Sequence, residues 1–215
     1  MDIWALEREL VKEGYETICG VDEAGRGPLA GSVFAAAVIL PFGVDIPGLN
    51  DSKKLSAKTR EKLYDIIITT AIAYEVASAD HKEIDKLNIL NATFLAMNRA
   101  VNKLSQKPDI VIVDGNQNKG LCFLNKCVIG GDGKSASIAA ASILAKVSRD
   151  RVMADMAKIY PQYGFEKHKG YGTKLHYERL HEYGPSEIHR KTFIRELTWT
   201  KGNAEDLASL SPKCS

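Results

Sequence analysis

Three short apolar runs in this chain each end on carboxylates set among glycines, and any fold it adopts has to place those three ends. Ile18-Cys19-Gly20-Val21 leads into Asp22-Glu23, Ile110 to Val113 leads into Asp114-Gly115, and Val128-Ile129 opens into Gly130-Gly131-Asp132-Gly133 just before a long helical pattern. Side chains alternate along a strand, so at most one of the neighbouring Asp22 and Glu23 should face a core. The β-branched run before Asp114 is of the kind found in a strand buried on both faces. A solvated strand end followed by a Gly-Pro turn is the alternative for Asp22 and Glu23 taken alone. With Asp114 and Asp132 added, four carboxylates sit at element ends. Like charges brought together raise one another's pKa and repel unless a cation neutralises them, and an all-oxygen donor set points to Mg²⁺ or Mn²⁺ rather than zinc. Gly25 and Gly27 let backbone approach a ligand, and Arg26 between them offers a fork for phosphate.

The rest of the pattern is that of an α/β protein. A short amphipathic start over 4–13 precedes strands near 17–22 and 32–40. Ser56 N-caps a helix to about residue 71, a strand covers 74–79, and residues 80–104 read as a helix broken near Asn88. The strand before Asp114 and a long Ala-rich helix over 135–159 follow, with short helical patches at 175–182 and 186–195. Strands that come first and later alternate with helices argue for a sheet with crossover connections. We expect a helical segment at 1–16, one catalytic domain over 17–197 with a small C-terminal helical cap from about 160, and a flexible tail at 198–215.

At 215 residues and 45% hydrophobic the chain can build a core, while a net charge of +2 is too small to declare a nucleic-acid binder. The four cysteines form no C-x-x-C pair and no zinc spacing with the five histidines, which indicates reduced thiols. No apolar run reaches membrane-spanning length and no secretion signal opens the chain, so a cytoplasmic setting is expected, without a membrane.

Five blocks in this order resemble the bacterial type 2 ribonucleases H, the ribonuclease HII family. They are Gly20 to Gly31, Asp51 to Ser56, Val113 to Gly115, Gly131 to Ser135 with Ile138 to Asp150, and Lys169 to Thr173 with Gly184 to Ser186. The resemblance covers most of residues 17–195. It implies a ribonuclease H-like fold, a mixed sheet flanked by helices, and hydrolysis of the RNA strand of RNA–DNA hybrids. It also implies incision at single ribonucleotides embedded in duplex DNA. By the family pattern Asp22, Glu23, Asp114 and Asp132 are the catalytic and metal-binding carboxylates. Two divalent ions about 4 Å apart would flank the scissile phosphate and leave 3′-hydroxyl and 5′-phosphate ends. Asp22 and Asp114 are expected to bridge the ions, with Glu23 and Asp132 each completing one shell.

Choosing RNA requires sensing the 2′-hydroxyl. The resemblance assigns this to the backbone of Gly25, Arg26 and Gly27 and to Tyr171, which has both a ring face and a polar tip. An ordinary half-buried aromatic is the alternative for Tyr171. Phosphate contacts are expected from Lys53, from Lys146 and Arg149 three apart on one helix, from Lys169, and from Ser135 at a helix N-terminus. Pairing of Lys146 with Asp150, or a plain N-cap at Ser135, explains those residues equally. His176, His181 and His189 show no ligand spacing, which leaves surface or capping roles.

Competing readings fare worse. Gly133-Lys134-Ser135 lacks the glycine that a P-loop needs five residues earlier, where Val128 stands. A non-catalytic binder has no use for an acid cluster at strand tips, and a resolvase- or transposase-like DNA nuclease lacks the glycine and tyrosine sensor. The type 3 relatives carry an extra N-terminal domain, for which the residues before the first strand are too few. The tail shows no paired aromatics of a clamp-binding motif, and a monomer is expected.

Overall fold

The structure, a computed structural model, describes residues 2–49 and 55–195. The tail expected at 198–215 lies outside them. The chain divides into two compact units: Met1–Arg26 with Ser32–Arg149, and Gly27–Gly31 with the chain from Asp150 onward.

The first unit is built on strands β1 (Ile18–Ala24), β2 (Val33–Ile39), β3 (Ala73–Ala79), β4 (Ile110–Asp114) and β5 (Asn125–Val128), in the order β3-β2-β1-β4-β5. β1, β2 and β3 pair antiparallel, whereas β4 runs parallel to β1 and β5 parallel to β4. A parallel partner for β1 demands a crossover. Helices α3 (His81–Leu87) and α4 (Ile89–Lys103) supply it, following α1 (Ala5–Lys12) and α2 (Ala57–Thr70). The break between α3 and α4 falls on Asn88, which takes φ 68° and accepts the Asn91 N–H as the cap of α4. Ser56 caps α2 by accepting the Thr59 N–H.

Helix α5 (Ala136–Ile159) belongs to the first unit as far as Arg149. Its alanines 136, 140 and 141 pack with Leu144, with Ala36 and Val38 of β2, and with Leu63 and Ile67 of α2. Small side chains on both surfaces let helix and sheet approach closely. The approach is tightest at Gly20, where an added Cβ would overlap the backbone of Ser137 and Ile138.

The second unit gathers Leu29 and Ala30 with Met153, Tyr163, Phe165 and Leu180 into its own core. Its helices after α5 are α6 (Phe165–His168) and α7 (Lys174–Tyr183).

Three elements depart from expectation. β1 continues past Asp22 because Glu23 and Ala24 still pair with Ala35 and Phe34. β5 is marked in the sequence only by the apolar pair Val128-Ile129 at its end: Asn125 and Lys126 are polar, and the strand forms by pairing with β4. The helical patch expected over 186–195 shrinks to one 3₁₀ turn at Lys191–Phe193. Gly184 and Pro185 end α7, and the segment finds other backbone partners: His189 bridges Ala30, and Arg190 N–H donates to the Leu29 carbonyl. Among the described residues, no helix is long and apolar enough to cross a membrane.

Candidate active site

The parallel register sets Val21 beside Val113, so the next residues, Asp22 near the end of β1 and Asp114 at the end of β4, fall side by side toward the carboxyl edge. In open α/β sheets this edge is where ligands bind. Asp132 arrives from the 3₁₀ turn Gly131–Gly133 that follows β5, and the Gly131 N–H donates to Asp114 Oδ1 at 2.7 Å. One carboxylate oxygen from each of Asp22, Asp114 and Asp132 lies within 4.8 Å of the others. Asp22 and Asp132 are each 5% exposed.

Burial, followed by the charge of Glu23 and then that of Asp114, pushes the Asp22 carboxyl well above its ordinary pKa. Hydrogen bonds from Ser142 and from the Glu23 N–H, the latter at 2.7 Å, act in the opposite sense. The site therefore holds negative charge that the protein only partly compensates. An all-oxygen trio of this kind, with Asp22 and Asp132 buried and Asp114 half-buried, suits a hard divalent cation, and the donor set fits Mg²⁺ or Mn²⁺.

Glu23 stands outside the trio. Its charge nevertheless acts on Asp22 more strongly than that of Asp114, and Arg26 Nη1 approaches its Oε1 at 3.4 Å. Ser142 escaped the sequence reading. The signal for it was the packing register: Ile138 lies over Gly20, and one turn on along α5, as two residues on along β1, Ser142 meets Asp22.

Two of the expected phosphate contacts, Arg149 and Ser135, are buried. Arg149 is 1% exposed, its Nε donates to the Ser32 carbonyl, and its side chain fills the space a Cβ on Gly25 would need. It props the turn at Gly25, whose φ of +98° excludes most other residues. Ser135 is fully buried, with its hydroxyl donating to Glu7 Oε1 at 2.6 Å and accepting the Ile138 N–H. It caps α5. Lys146 is half-buried on α5, Arg26 is exposed, and Lys53 lies outside the described residues. In the second unit, Gly27 is exposed beside the ring of Tyr171, which is itself 43% exposed, and Lys169 is half-buried with φ 51°. His176 and His189 are not surface residues: they are 0% and 1% exposed and bonded to each other.

The family model described as Ribonuclease HII matches residues 19–201. A ribonuclease HII of Caldicellulosiruptor saccharolyticus is 58% identical over 192 residues, covering 89% of this chain and 94% of that protein. One from Geobacter sulfurreducens is 53% identical over 196 residues, 90% of each chain. The crystal structure of ribonuclease H2 from Pyrococcus horikoshii superposes with a TM-score of 0.68 at 29% identity, covering 82% of this chain and 93% of that one.

Proposed function

Since the chain belongs to the ribonuclease HII family, a type 2 ribonuclease H that hydrolyses the RNA of RNA–DNA hybrids, we propose how its residues hold the metal and select the ribose. The observation that carries the reading is the convergence of Asp22, Asp114 and Asp132 within 4.8 Å at the carboxyl edge of the parallel strands.

Asp22 of β1 and Asp114 at the end of β4 would hold the divalent ions, Asp132 would add a ligand from its turn, and Glu23 would contribute the fourth carboxylate. When bound, two such ions lower the pKa of the attacking water and stabilise the departing 3′ oxygen. Ser142 keeps the Asp22 carboxyl oriented, and the Gly131 N–H does the same for Asp114. The backbone at Gly25, Arg26 and Gly27 approaches the sugar closely, and Tyr171 lays its ring on the ribose with its hydroxyl toward the 2′ position. Arg26, Lys146 and Lys169 pair with phosphates. On this reading the enzyme also incises at a single ribonucleotide in duplex DNA, leaving 3′-hydroxyl and 5′-phosphate ends.

The test is cleavage of a labelled DNA duplex with one ribonucleotide, in Mg²⁺ and then Mn²⁺, by wild type and Asp114→Asn. A cut beside the ribonucleotide by wild type alone is the expected result. Cleavage of a long hybrid without the single-ribonucleotide cut would discard the ribose-sensing account and keep the acid site.

A further inference from the structure

We propose that His176 and His189 are positioning residues that aim Tyr171 through a hydrogen-bond chain running in one direction. The proposal rests on the reading of Tyr171 as the ribose sensor.

The direction follows from backbone groups at both ends, whose polarity is unambiguous. At one end the Ser186 backbone N–H sits 2.9 Å from His189 Nδ1, and the Ser186 hydroxyl, 2.8 Å from the same atom, is free to donate to it as well. An N–H can only donate, so this nitrogen carries no proton, and the neutral ring holds its proton on Nε2. His189 Nε2 lies 3.0 Å from His176 Nε2, and one proton serves both. His176 Nε2 therefore accepts, which leaves the His176 proton on Nδ1. That atom is 2.9 Å from the Tyr171 carbonyl, which can only accept. The chain thus reads Ser186 N–H to His189, His189 to His176, and His176 to Tyr171, with no conflict at any link.

His168 completes the mount. Its Nδ1 accepts the Gly170 N–H, its Nε2 donates to the Tyr163 carbonyl, and its ring stacks on His176 with centroids 4.4 Å apart. Its own carbonyl accepts the Tyr171 N–H at 2.9 Å. Tyr171 is consequently held at both backbone groups, its carbonyl also accepting the Thr173 N–H. An exposed ring stands on a base whose histidines are 8%, 0% and 1% exposed at 168, 176 and 189. A group that must meet a sugar in one orientation gains from such preorganised support. The chain requires neutral rings throughout, because a second proton between His176 and His189 leaves no acceptor. Burial above all, with the neighbouring histidines adding to it, pushes His176 down to about 3, so the ring is neutral near pH 7.

Two substitutions separate this role from simple packing. An Asn amide nitrogen falls near the position of Nδ1, and a Gln side chain reaches that of Nε2. His176→Asn therefore keeps the donor to Tyr171, while His176→Gln keeps the link to His189 and abandons Tyr171. The expected result, measured as kcat/KM on a duplex with one ribonucleotide, is that Asn retains most of the activity and Gln loses about ten- to hundredfold. Adding Tyr171→Ala to the Gln variant should cost no more than Tyr171→Ala alone. Equal losses in the Asn and Gln variants, with Tyr171→Ala also impaired, would overturn the positioning role and leave Tyr171 as sensor. A Tyr171→Ala enzyme that cuts normally would overturn the sensor and the positioning role with it. The histidine ¹⁵N shifts of the wild type, which require no variant to fold, should show Nδ1–H on His176 and Nε2–H on His168 and His189. An Nε2–H tautomer at His176 would refute the chain directly.

Discussion

Arg149 has the charge of a phosphate ligand but the surroundings of a core residue, with 1% exposure and contact with Gly25. A phosphate contact and a buried prop predict different measurements. Removing a phosphate contact lowers the slope of log affinity against log salt by about one unit. For Arg149→Ala we expect that slope to be unchanged in hybrid binding, with a lower melting temperature instead. At His176 the ring is held far below its ordinary pKa of 6.5, at about 3, chiefly by burial. The unfolded chain thus takes up a proton below about pH 6.5 that the folded chain refuses. Stability should be fully present above that pH and fall with acidification toward pH 3. Each pH unit in that window raises the unfolding constant up to about tenfold for this one group. His168 shifts in the same direction and adds to the slope. Urea unfolding at pH 7 and pH 5 should show the loss in wild type and a smaller one in His176→Asn.

At the scale of elements, α5 packs against β1 and brings Ser142 to Asp22. Two contacts fix its N-terminal end: Gly20 of β1 against the Ser137 and Ile138 backbone, and Glu7 of α1, whose Oε1 accepts from the Ser137 N–H at 3.1 Å and from the Ser135 hydroxyl. Glu7 thus serves as a cap delivered from another helix, and its negative charge suits a helix N-terminus. Glu7→Ala should cost about 1–2 kcal/mol in chemical denaturation. Gly20→Ala should cost more, about 3 kcal/mol or above, since backbone rather than a flexible side chain must move. An alanine at Gly20 with wild-type stability would contradict the close packing. A short Ser142→Ala side chain should leave the fold intact while weakening metal binding, because it removes only the hydroxyl that orients Asp22.

For the whole molecule, the acid cluster sets stability against function. Without metal, Asp22, Glu23 and Asp114 oppose one another, so Asp22→Asn in chelator should melt higher than wild type. With Mg²⁺ or Mn²⁺ at about 100 times its dissociation constant, wild type should gain about 2.7 kcal/mol, and Asp22→Asn much less. Equal gains in both would remove Asp22 from the metal site. Most of the strands and helices, the broken helix at Asn88, the Ser56 cap and the acids near strand ends were legible in the sequence, because each depends on residues a few positions apart. What the chain concealed depends on partners far away in sequence. Glu7 and Ser135 are 128 residues apart, and Arg149 and Ser32 are 117 apart. The polar β5 exists only as a partner of β4. Local order thus determined that acids would end strands, and by periodicity what kind of element would carry each. Only the parallel register of β1 with β4 and the turn after β5 brought Asp22, Asp114 and Asp132 together. Burial, which no local pattern reports for a polar side chain, was decided by the tertiary structure at Arg149, Ser135, His176 and His189.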